Sequence, residues 1–270
     1  MPIISLIFYI FIFLLGLCIG SFLNCAIYRL ETKKTLQGRS FCPKCKKQLL
    51  WQDLIPVFSF LFLGGKCRRC KKKISWQYPI VEIVTATLFV LIFWSLGFGW
   101  DLGFGIWDFI KLCFMFYFAS VLIVIFVYDF KHYEIPDKVL IPAIAISFIY
   151  CALFDFGGIL NHLLAVLIGS GFFLSIFLIS KGKWMGFGDV KLAVLMGLLL
   201  GVPNILLALF LAFLFGAIIG VILMVLPFSK TGEKKSLKSE IPFGPFLITG
   251  TFFAILWGPK IINWYLNLLT

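Results

Sequence analysis

Two groups of side chains in this sequence have the types and spacing that chemistry requires. Cys42-Pro-Lys-Cys45 and Cys67-Arg-Arg-Cys70 place four thiols in two CxxC knuckles. Four thiolates at such spacing can close a tetrahedral zinc site, and the surrounding Lys and Arg favour the thiolate form and offset the charge of a four-sulfur centre. With every position taken by sulfur, none is left for water, so the metal expected at Cys42, Cys45, Cys67 and Cys70 is structural. Two disulfides or four idle thiols are the alternatives. Cys18, Cys25, Cys113 and Cys151 fall in apolar runs, where cysteine acts as a small hydrophobe.

The second group is acidic. Asp129 closes an apolar run over 112–128, so its carboxylate meets the negative end of a helix dipole in a partly desolvated setting that structure alone gains nothing from. Asp189 ends Gly186-Phe-Gly-Asp189 just ahead of a short apolar stretch. An Asp there serves equally well as a helix N-cap. Asp137 follows Pro136, an ordinary helix start, and is read as structural. If Asp129 and Asp189 meet, two carboxyls in a partly dry site cannot easily both ionise. One then holds a proton while the other activates water, which is the arrangement for aspartic peptide hydrolysis. Gly186 and Gly188 would let backbone come close to a substrate strand.

The elements that must position these groups follow from composition. Of 270 residues 61% are apolar and only 13% charged, which excludes a soluble domain. Apolar runs near the length of a bilayer-crossing helix recur at about 3–25, 80–98, 107–128, 139–154, 159–179, 190–200, 205–227 and 243–259. The expected fold is all-α, a polytopic transmembrane bundle of about eight helices with a small four-cysteine loop domain. The expected domains are a first transmembrane helix over 1–28, the loop over 29–79 and a membrane bundle over 80–270. The first run is read as a retained helix, since no basic residue precedes it and a small-residue cleavage site is not evident. The run at 190–200 is too short to cross comfortably alone, so the glycines ahead of it are expected to form irregular backbone dipping into the protein. Residues 261–270 could form a further interfacial segment.

Twenty-two of the 24 Lys and Arg lie in alternate connections: between Arg29 and Lys73, at Lys131 and Lys138, at Lys181, Lys183 and Lys191, and at Lys230, Lys234, Lys235 and Lys238. The opposite connections carry Asp101, Asp108 and Asp155. The positive-inside rule therefore places both termini outside and the basic loops, with the cysteines, Asp129 and Asp189, at the cytoplasmic face. Thiols stay reduced there, which argues against disulfides. The net charge of +12 is met by anionic lipid headgroups, and no nucleic-acid motif accompanies it. A transporter carrying protons or cations on the paired aspartates is the competing class. Both acids at one membrane edge, with no visible inverted repeat, speak against it.

Taken together, the motifs resemble the type IV prepilin peptidases, aspartic membrane proteases of the GxGD type. The resemblance covers nearly the whole chain. It runs through Gly20-Ser-Phe-Leu-Asn24 with Tyr28-Arg29-Leu30, the two cysteine knuckles, Trp51-Gln-Asp-Leu-Ile-Pro56, and Ile74-Ser-Trp-Gln-Tyr-Pro79 leading into Glu82. It continues through Asp129, Ile135-Pro-Asp137, Gly186-Phe-Gly-Asp-Val-Lys191 and Ile241-Pro-Phe-Gly-Pro245. It implies cleavage of a prepilin or pseudopilin leader after a glycine at the cytoplasmic membrane face, with Asp129 and Asp189 as the catalytic pair. Many members also methylate the new N-terminus with S-adenosylmethionine, and the cysteine loop is typical of those bifunctional members. A peptidase without methylation is the alternative within the family. Glu82 and Asn24 are candidates for the cofactor's site, with helix-end anchoring as the plainer role for both.

Overall fold

A computed structural model of the chain describes residues 2–97, 105–225 and 242–268. Asp101, Lys230, Lys234, Lys235, Lys238 and Ile241, used above for topology and motif, lie outside the described residues, as do the ends of the second and seventh expected spans. Among the described residues there are nine α-helices: α1 (Pro2–Glu31), α2 (Phe58–Phe62), α3 (Gln77–Ser95), α4 (Ile106–His132), α5 (Asp137–Phe154), α6 (Ile159–Ser180), α7 (Phe187–Leu200), α8 (Asn204–Val225) and α9 (Gly244–Asn267). The only β pairing among them is two isolated bridges, Phe41 with Gln48 and Lys66 with Lys73.

Seven of these helices are long and apolar enough to cross a membrane. The remaining expected span, α7, has 14 residues and a length of about 21 Å, short of the roughly 30 Å hydrocarbon layer. Leu6, Phe11, Leu160, Leu167, Ile179 and Phe210 point outward fully enough to be water-exposed in a soluble protein. Apolar surface on that scale is solvated by lipid tails. The expected interfacial segment after residue 260 does not form separately, because α9 runs on past Pro259 to Asn267.

The chain divides into two compact units, Met1–Val124 and Ile125–Thr270. In the first, α1 and α3 pack antiparallel at unusually close range. A methyl group added to Gly16 would lie 2.5 Å from Ala86 Cα, and one on Gly20 2.7 Å from Glu82 Cα. The same register sets Tyr9 edge-on to Phe93 and lets Asn24 Nδ2 donate to the Tyr78 carbonyl at 3.0 Å. Where α1 ends, the buried Arg29 guanidinium donates to the carbonyls of Thr35, Gln37 and Gly38 and so ties the outgoing chain to the helix end.

In the second unit α6 and α7 are antiparallel partners. Gly197 lies so near α6 that an added methyl would be 2.6 Å from Val166 Cα. Phe177 and Phe187 meet at one end of this pair, with ring centroids 5.4 Å apart. At the other end Asn161 exchanges hydrogen bonds with both backbone groups of Val202, at 3.1 and 3.2 Å. Short as it is, α7 with its closing turn therefore accompanies α6 along most of its length. Gly201 ends α7 at φ +63, where a side chain would strain the backbone and press on Asn161. Small residues recur at four-residue intervals on α8 (Ala208, Ala212 and Gly216) and on α9 (Gly250, Ala254 and Gly258), and the two helices meet where Gly250 lies against Ala208 and Ala212. Such stripes let helices approach where lipid offers no hydrophobic drive to associate.

A side chain at Gly250 would run into the Ala208 carbonyl oxygen, whereas one at Gly220 meets nothing within 4 Å. Gly250→Val should therefore cost about 3 kcal/mol or more and lower the melting temperature in detergent. Gly220→Ala, gaining helix propensity of up to about 1 kcal/mol, should leave it unchanged or raise it. Equal melting of the two variants would contradict this packing.

Candidate active site

Asp129 sits one turn before the end of α4 and Asp189 in the first turn of α7, and both are buried, 5% and 8% exposed. The chain between α4 and α5 brings them together. α4 closes on Tyr133, whose φ of +58 turns the chain sharply and whose N–H donates to the Asp129 carbonyl at 2.9 Å. The turn then carries Ile135 onto Gly188, where an added methyl would be 3.2 Å from the Ile135 Cβ. Because position 188 lacks a side chain, the first turn of α7 can lie against this turn, and the charge of Asp129 acts on Asp189. No basic side chain is within ion-pair distance of either carboxyl among the described residues.

Two sequence expectations change here. The N-cap of α7 is Gly186, in extended conformation, and Asp189 is the third helical residue with no capping bond, so capping does not account for it. The glycine stretch is likewise not irregular backbone, since Phe187 and Gly188 are already helical. Asp137 does start α5, as expected, but it also accepts from Lys191 Nζ through both carboxylate oxygens at 2.8 Å. That pair ties α5 to α7 one half-turn beyond Asp189. It is solvent-exposed and contributes on the order of 1 kcal/mol or less.

The remaining contributor is Gly244, the first residue of α9, whose backbone N–H is turned to the Asp129 carboxylate. A methyl on Gly244 would collide with Asp129 Oδ2. Sequence reasoning placed Gly244 only inside a motif. Its glycine-proline helix start was readable, but its nearness to a residue 115 positions earlier was not.

Glu82 and Asn24, the other polar candidates, are buried between α1 and α3 in the first unit, 6% and 2% exposed. Glu82 Oε2 accepts from the Val57 N–H at 2.7 Å, so its carboxylate holds the start of α2.

The four expected cysteines do converge: the Sγ atoms of Cys42, Cys45, Cys67 and Cys70 all lie within 4.8 Å of one another. A tetrahedral zinc with sulfur at about 2.3 Å would need sulfurs about 3.8 Å apart, a small contraction of this cluster. The two knuckles repeat each other at an offset of 25 residues. In each, the first cysteine's N–H donates to the carbonyl five residues on at 2.9 Å, and the lysine after the second cysteine takes a left-handed φ, +60 at Lys46 and +57 at Lys71. Backbone N–H groups of Cys70 and Arg69 aimed at Cys67 lower its thiol to about 7. Asp53 spans the two knuckles' halves by accepting from Arg68 at 2.8 Å. All-sulfur donors at this separation fit a zinc ion. Metal analysis should therefore find about one zinc per purified chain, absent once Cys42 and Cys45 are both replaced by Ser. Wild-type protein purified without metal at full stability would refute the assignment.

Residues 14–96 match the Bacterial Peptidase A24 N-terminal domain and residues 116–221 the Type IV leader peptidase family. The chain is 30% identical to a prepilin leader peptidase/N-methyltransferase of Pseudomonas aeruginosa, over 94% of this chain and 92% of that protein. It is 32% identical to one from Bacillus subtilis, over 95% and 97%, and 31% identical to one from Legionella pneumophila, over 96% and 94%. No solved structure matches the chain. On the motifs, the all-helical membrane architecture and these matches along both units, the chain belongs to the type IV prepilin leader peptidase family.

Proposed function

We propose that this protein is a membrane aspartic endopeptidase that cleaves the leader of prepilins or pseudopilins after a glycine, with Asp129 and Asp189 as its catalytic residues. The observation that carries this reading is the pair of buried carboxyls, near enough for the charge of one to act on the other, with no Lys, Arg or His within ion-pair distance of either among the described residues. Two such groups share a proton. The ionised carboxylate takes a proton from water as the water oxygen bonds to the scissile carbonyl carbon. The protonated partner hydrogen-bonds to the carbonyl oxygen, and the C–N bond then breaks as the leaving amine accepts a proton. The Gly244 N–H turned to Asp129 supports the ionised form and fixes the carboxyl's orientation.

The positive-inside pattern supports placing this site and the cysteine cluster at the cytoplasmic face. The protein's rim there is itself basic, so it would repel a basic leader, and recognition falls to the substrate's apolar helix and its glycine. The relatives' names join N-methyltransferase to leader peptidase. We extend that second activity to this chain, with S-adenosylmethionine as the methyl donor and the cysteine cluster as a structural zinc site.

Asp129→Asn and Asp189→Asn should each abolish cleavage of a prepilin peptide, read by product mass, while the protein still accumulates in the membrane. Asp137→Asn should retain substantial activity, because Asp137 serves the helix start and an exposed pair. Full cleavage by either of the first two variants would remove that residue from the mechanism. Gly244→Ala places a methyl against Asp129 and should lower cleavage by about tenfold or more without loss of protein, since misplacing a catalytic group by about 1 Å costs up to about a hundredfold. Wild-type rates in Gly244→Ala would show that the α9 start does not hold Asp129.

A further inference from the structure

Glu82 is a buried carboxylate that the peptidase reading does not use. It lies on α3 facing Gly20 and Ser21 of α1, and among the described residues no Lys, Arg or His is within ion-pair distance of it. Its partners among the described residues are donors that bring no full charge, the Val57 N–H at 2.7 Å and the Ser21 hydroxyl. One helical turn along the same α1–α3 face, Asn24 uses its Nδ2 on the Tyr78 carbonyl, which leaves Asn24 Oδ1 buried with no hydrogen-bond partner among the described residues. An orphaned acceptor and a carboxylate without a cationic partner, about one helical turn apart on this contact, are each costly in a dry setting. Beside Glu82, Val57 takes φ +59 and ψ −51, a γ-turn conformation that a β-branched residue adopts only under constraint. The Val57 N–H holds the carboxylate by one oxygen, Oε2.

A buried acceptor without a donor and a buried carboxylate whose donors are neutral call for one kind of ligand, a small group that is positively charged. We infer that the Asn24–Glu82 niche binds the onium centre of a methylation partner, either the sulfonium of S-adenosylmethionine or the ammonium of the mature pilin's new N-terminus. This rests on the methylation reading. The cosubstrate supplies a methyl group on a charged sulfur, and that sulfur keeps the bonding electron pair when the methyl moves to nitrogen. The acceptor nitrogen sheds one proton in the exchange, and Glu82 is the base within the niche that receives it.

Glu82→Gln is the discriminating variant, because glutamine's oxygen still accepts from Val57 while the charge is gone. Dialysis against labelled S-adenosylmethionine and the uncharged S-adenosylhomocysteine measures preference for the sulfonium. A mature N-terminal pilin peptide, free or N-acetylated and followed by fluorescence anisotropy, measures preference for the ammonium. Wild-type full-length protein should prefer the charged form of one pair by about tenfold or more, the scale of a single screened charge contact. Glu82→Gln should bring that ratio to near one with an unchanged melting temperature, and Glu82→Asp, which keeps the charge, should preserve it. The pair that responds names the onium group. A wild type that methylates while Glu82→Gln keeps both preferences overturns the niche and leaves the methylation reading standing. A wild type that cleaves but neither methylates nor prefers either charged form overturns both. Should Glu82→Gln fail to fold, loss of the preference in Asn24→Leu supports the niche and its retention overturns it.

Discussion

Helices surrounded by hydrocarbon gain nothing by hiding apolar surface from one another, so they associate where side chains are small enough for backbones to touch. Each polar group that matters in this protein is placed by such a contact. Gly20 lets α3 come close enough for Glu82 to face α1, and Gly188 lets α7 close on the turn after Asp129. Gly197 keeps α7 against α6, and Gly250 draws α9 onto α8 so that Gly244 arrives at Asp129. The missing side chains are as much a part of the site as the carboxyls they bring together.

This packing explains how a helix of 14 residues keeps a carboxyl, that of Asp189, buried. An isolated α7 would be too short to cross the hydrocarbon layer. Paired with α6 through glycine contacts and closed by the Asn161 exchange with Val202, it is supported by protein along its length. Its first turn then lies inside the bundle, with Asp189 shielded from bulk water. On the proposed peptidase reading, Asp129 at the α4 end is the acid that shares its proton.

The first unit meets a different demand. Its connection between α1 and α3 has little apolar core of its own, and small folds of that kind need staples. Three are visible: the Arg29 guanidinium on three backbone carbonyls, the Glu82 carboxylate on Val57, and the four converging thiols. The last is the strongest once metal is bound. Arg29 and Glu82 are both buried charges met by neutral backbone groups, the one by carbonyls and the other by an N–H.

Much of this was legible from residue order. Apolar runs of bilayer length, Lys and Arg confined to alternate connections and the paired CxxC knuckles are local patterns, set by helix rise, headgroup charge and the valence of zinc. Asp129 and Asp189 could be singled out because an acid at the edge of an apolar run is costly wherever the chain folds. What the order of residues could not decide were contacts between positions far apart: Asp137 with Lys191, Gly244 with Asp129, and the orphaned Asn24 Oδ1 beside Glu82. It also misjudged the start of α7, since Asp after glycine reads as a cap until packing shows Gly186 in that place. Local sequence determines which segments become helices and which ends carry charge. Which helix faces meet depends on where side chains leave room for one another, and only the folded bundle decides that.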